Sequence, residues 1–162
     1  GVRFDESLAM GEDMLYFWQA FRKSHRIYIN ESVNYHVVWR SDSATMANYS
    51  LKQLGDIESS RRIWRDCLAL GRLDVEQAAF ARYANTLLAR TVQLMAYDDG
   101  RYTDQYGKLV NEIKETQNIL RQHSYKVSIR NHILIYTILY SPYSMIRPIF
   151  RFLWKNVVIG KR

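Results

Sequence analysis

The sequence predicts a mainly α-helical fold with a small β portion. Only 2 Pro and 7 Gly punctuate the 162 residues, too few turn formers for a many-stranded sandwich. Apolar residues recur at spacings of three and four through much of 49–125, the mark of helices with one buried face. Two short stretches, 26–30 and 33–40, are dense in β-branched and aromatic residues, as strands are. With 48% hydrophobic residues, 12 Tyr and 4 Trp, the chain is globular rather than disordered and long enough for one core.

The first zone, 1–48, opens with a helix expected from Asp13 to Ser24, where Met14, Phe17, Trp18 and Phe21 fall at helical spacing. Arg26–Asn30 and Val33–Arg40 then read as strands, with a turn at Asn30-Glu31-Ser32. The second zone, 49–125, is helical. Asp56 is placed to cap a helix running to Leu70, which Gly71 ends. Asp74 with Gln77 resembles a capping box. After it Phe80, Ala84, Leu87, Thr91 and Leu94 form one stripe, broken by Asp98-Asp99-Gly100. Thr103 starts a further helix with Tyr106, Leu109, Ile113 and Leu120 inward.

The third zone, 126–162, differs in charge. It holds seven Lys/Arg and no Asp/Glu, so it carries the whole net charge of +7. The apolar run Ile133–Tyr140 is interrupted at Pro142 and Pro148 and falls short of the roughly 20 residues that cross a bilayer. Beyond it, Phe150, Arg151, Phe152, Trp154 and Lys155 make a basic, aromatic segment suited to an anionic membrane surface. Packing of Ile133, Ile135, Ile138 and Leu139 into the helical core, with the basic groups solvated, is the other reading of this zone. A nucleic-acid partner is not expected, because the tail carries no recognised motif and is too apolar for a solvated binding strip. The lone Cys67 forms no intrachain disulfide, no Cys/His cluster has zinc spacing, and the opening residues hold no signal-peptide core. These features fit a cytoplasmic setting.

The sharpest local feature is Gly11-Glu12-Asp13 at a helix start, where paired carboxylates suit the helix dipole. Around it stand Phe4-Asp5-Glu6 upstream, then an aromatic helix, Arg26-Ile-Tyr-Ile, Val33-Asn-Tyr-His-Val-Val-Trp-Arg, and Ser41-Asp-Ser-Ala-Thr. In this order, residues 2–48 resemble the second half of a family 2 glycosyltransferase domain, of the GT-A type found in bacteria. There an F-x-E…G-E-D segment opens the acceptor-side helix, and an I-x-(Y/F)-I strand, an aromatic strand ending in Arg and an S-x-T loop follow.

The resemblance implies an inverting enzyme that moves a sugar from a nucleotide-sugar to a glycan or lipid-linked acceptor in surface-polysaccharide synthesis. It implies that Asp13 is the catalytic base and that Glu12 orients acceptor or helix. It places Arg40, His36, Ser43 and Thr45 near the donor diphosphate, whose charge needs cations. It also implies a nucleotide-binding half and an Asp-x-Asp segment for Mg²⁺ or Mn²⁺, both upstream of the part matched here. Asp98-Asp99 is no substitute, so the chain alone is expected to bind no metal cofactor and to be inactive. On this view 1–48 is the acceptor-side remnant of a GT-A α/β domain, 49–125 a helical extension, and 126–162 a basic amphipathic tail at the inner face of the membrane. An uncovered core would favour a homodimer. The alternative is a non-catalytic helical module that binds a membrane or a partner protein.

Overall fold

The computed structural model describes residues 1–28, 30, 32, 49–154 and 156. It is mainly helical. Helix α1 spans Glu12–Lys23, and a 3-10 turn at Leu51–Leu54 leads into α2, Gly55–Leu68. Then come α3 (Leu73–Tyr97), α4 (Thr103–His123), α5 (Ile129–Tyr140) and α6 (Tyr143–Leu153). No strand occurs among the described residues. Arg26, Ile27 and Tyr28, expected in a strand, run outside any regular element. Strand propensity acts only through a paired neighbour, and none is found for them among the described residues. The other expected strand, Val33–Arg40, lies wholly outside the described residues. At the expected turn, the Ser32 N–H donates to Asn30 Oδ1 at 3.0 Å.

The 25-residue α3 is the central element, with α2, α4, α5 and α6 all packed against it. The stripe Phe80, Ala84, Leu87, Thr91 and Leu94 is fully sealed from solvent, as its spacing predicts. Trp64 of α2 stacks on Tyr83 at 5.6 Å and meets Phe80 edge-on at 5.1 Å, geometry that the ring quadrupoles favour. Leu109, Ile113 and Leu120 of α4 close one side, and Ile135, Ile138, Ile146 and Phe150 of α5 and α6 the other. The third zone is therefore joined to the same core as the second.

Several local expectations are corrected. In α1 the buried side chain is Leu15, while Met14, Phe17 and Phe21 are exposed. Because α1 is apolar around much of its circumference, spacing alone does not fix which face turns in. Asp56 lies within the first turn of α2 rather than capping it; the carboxylate pairs instead with Arg90. Helix α2 ends at Leu68, two residues early, and passes through a turn to Gly71. Asp74 makes no capping box, for α3 begins before it and its side chain takes two bonds from Arg72.

The N-terminal segment is locked to α2 by glycine. Gly11 has φ +82°, and a side chain there would meet Ser59 Oγ at 2.5 Å. At Gly55 a Cβ would run into the backbone carbonyl of Met10. Leu8 and Leu15 pack with Ile63 and Cys67 in a second small core beneath this contact.

Candidate functional site

The close approach at Gly11 sets the first turn of α1 at the mouth of a cleft of about 380 Å³, walled by α1, α2 and α3. Asp13 stands at its edge, exposed, with Oδ1 accepting from the Met14 N–H at 2.7 Å. Its carboxylate has no ion pair among the described residues. Glu12 is half-buried, and its Oε2 is shielded from solvent without a hydrogen-bond partner among the described residues.

Across the cleft stand Asp56 and Ser59 from α2 and Arg82, Asn85 and Arg90 from α3. Arg90 is committed, donating to Asp56 and, at 2.7 Å, to Gln93 Oε1. Ser59 donates to the Asp56 carbonyl at 3.1 Å. Arg82 is exposed and has neither hydrogen bond nor ion pair among the described residues. Among the described residues the cleft thus offers a carboxylate without an ion pair, a guanidinium without a partner and the Asn85 amide, groups that suit hydroxyl-rich ligands.

The other residues expected at a site are not brought together among the described residues. His36, Arg40, Ser43 and Thr45, expected at the donor diphosphate, lie outside the described residues, as does Lys155. Phe150 is buried against α3 and does not belong to an outer surface. Arg151 and Phe152 are exposed and Trp154 is half-exposed. No cluster of three or more His, Cys, Asp or Glu that could hold a metal ion occurs among the described residues. No described helix is long and apolar enough to cross a membrane.

The sequence reading missed Asp56, Ser59, Arg82, Asn85 and Arg90 as cleft residues. Asp56 and Arg90 are 34 positions apart, and only the pairing of α2 with α3 brings them together. It also missed Asp98 as more than a helix breaker. This buried carboxylate accepts from the N–H groups of Gly100 and Tyr102 at 2.9 and 3.0 Å and from the Tyr143 hydroxyl at 2.5 Å, while its backbone carbonyl accepts from Arg147.

Comparison with known proteins gives no match: no family model, no curated protein and no solved structure is significantly similar to this chain.

Proposed function

We propose that this chain is the acceptor-side part of an inverting, nucleotide-sugar-dependent glycosyltransferase, with Asp13 as its base. The observation that carries the reading is the free Asp13 carboxylate on the first turn of a helix, at the edge of a polar cleft. The ordered G-E-D segment and the pieces after it, residues 2–48, supply the family resemblance. In such a reaction the acceptor oxygen attacks the anomeric carbon of the donor. Its proton passes to Asp13, and the bond from that carbon to the diphosphate breaks. A base fixed on a helix turn is held for in-line attack. Arg82 and Asn85 line the cleft and would bind acceptor hydroxyls, while Glu12, which does not line it, would orient the helix.

The outer face of α1 supports the same reading. Phe17 and Phe21 are each more than half exposed, beside an open apolar groove between α1, α2 and α3. Such a face suits contact with a nucleotide-binding half, which would also bring the Asp-x-Asp segment and its Mg²⁺ or Mn²⁺. The acceptor is a glycan or a lipid-linked glycan, handled at the inner face of the membrane.

The test is Asp13→Asn in the transferase that contains this chain. Transfer should fall by about 10²-fold or more, the scale of a lost general base, while donor binding is kept. Unchanged transfer would remove Asp13 from the mechanism. The second reading, a non-catalytic helical module, draws on the exposed apolar residues of α5 and α6. It gains if no transfer is detected with any sugar nucleotide.

A further inference from the structure

Helices α5 and α6 are apolar on two sides. Their inner sides, Ile135 and Ile138 in α5 and Ile146 and Phe150 in α6, are buried in the core. The outer side of α5 carries Ile129, Ile133, Tyr136 and Tyr140, at steps of four, three and four, all more than half exposed. The outer side of α6 repeats the pattern with Met145, Ile149 and Phe152, at steps of four and three and between 56% and 65% exposed. Helical periodicity thus gives each helix a complete second stripe, and core packing accounts for neither. Together the two stripes leave seven large apolar side chains exposed, and exposed apolar patches mark interaction surfaces.

The charge around these stripes selects what covers them. From residue 126 to the end there is no Asp or Glu. Lys126, Arg130 and Arg151 are exposed and have no ion-pair partner among the described residues. Two acids nearby are already engaged, Asp98 by the Tyr143 hydroxyl and Asp99 by Arg101. The helices have 12 and 11 residues, too short to span hydrocarbon that needs about 20, and they are divided at Ser141-Pro142. The exposed tyrosines of α5, Tyr136 and Tyr140, and long basic side chains with apolar stems suit the headgroup boundary.

We propose that the outer stripes of α5 and α6 dock the chain in the plane of an anionic lipid surface. The isoleucines, Met145 and Phe152 enter the boundary of the acyl region, and Lys126, Arg130 and Arg151 lie against lipid phosphates. The surface is independent of Asp13 and of any transfer chemistry, so it stands or falls separately from the reading of the cleft.

Flotation of the chain with vesicles tests it. Binding is expected to vesicles of phosphatidylcholine mixed with phosphatidylglycerol, to be far weaker to phosphatidylcholine alone, and to fall as salt rises. Arg130→Ser and Arg151→Ser should each weaken binding about fivefold. The pair Ile133→Glu with Phe152→Glu should weaken it by at least about tenfold, with an unchanged thermal melt because both positions are exposed. Three results would overturn the proposal. One is no binding to the anionic vesicles, and another is binding that the glutamate pair leaves intact. The third is a dimer in solution that the glutamate pair converts to a monomer, which would give these stripes to a second copy of the chain.

Discussion

The hydroxyl of Tyr143, at the start of α6, donates to Oδ2 of the buried Asp98, at the end of α3, over 2.5 Å. Burial alone would raise the Asp98 pKa. The bonds from Tyr143 and from the N–H groups of Tyr102 and Gly100, with Arg147 nearby, outweigh it and hold the carboxyl below its ordinary value. The Tyr143 hydroxyl is pushed well above its own, by burial first and then by the Asp98 carboxylate. A carboxyl lowered in the folded state stabilises that state above its unfolded value, about 3.9. This contribution drains away as pH falls through the lower folded value. Tyr143→Phe should therefore cost about 1–3 kcal/mol at pH 7. The difference from the parent should shrink toward pH 3, as read from denaturant titrations at both values.

A second set of bonds ties α2, α3 and α4. Glu112 Oε1 accepts from the Tyr83 hydroxyl and from Arg61, each at 2.7 Å. Burial opposes the charge on Arg61, and Glu112 more than restores it. Glu112→Ala should destabilise more than Tyr83→Phe, because it takes a partner from the partly buried Arg61 guanidinium, which is left with Glu58 at 3.2 Å, as well as from a hydroxyl. About 1–3 kcal/mol against about 1 kcal/mol is expected, measurable as two shifts in denaturation midpoint.

Gly55→Ala is the smallest substitution with a large expected effect. Its methyl would meet the Met10 backbone, and backbone yields less readily than a side chain. A loss of about 1–3 kcal/mol follows from overpacking of this kind. Alanine at Gly107, where an added Cβ meets nothing, should match the parent or exceed it, since alanine favours helix over glycine by about 1 kcal/mol. Paired thermal melts of the two variants separate crowding from propensity.

Cys67 is sealed within the small core under α1. Burial raises its thiol pKa, and the neighbouring Asp66 adds to the rise. Both effects keep the sulfur protonated and out of reach. A thiol reagent at pH 8 should react at the rate at which α1 lifts from α2. Leu15→Ala, which loosens the same core, should speed that reaction.

What the sequence made legible was what lies within one helix. The Phe80–Leu94 stripe followed from periodicity because a helix sealed on one side leaves few alternatives. The break at Asp98 and the start at Thr103 followed from local turn chemistry. Contacts between helices were not legible. Asp56 and Asp74 stand where caps stand, yet their carboxylates reach Arg90 and Arg72, and no local rule weighs a cap against a nearby arginine. In α1, Met14, Phe17, Trp18 and Phe21 stand at helical spacing, but a helix with apolar residues on several sides takes its orientation from its neighbours. The cleft opposite Asp13 depends on the crossing of three helices and has no signature along the chain.

Arg82, Asn85 and Arg90 near the cleft and Asp98 beside α6 all belong to the single rod of α3. A rod of this kind keeps phase as well as distance. Between Arg90 and Asp98 the rise is about 12 Å, and each residue turns the axis by about 100°. One residue added or lost in that stretch would swing the cleft a quarter turn away from the helices at the other end.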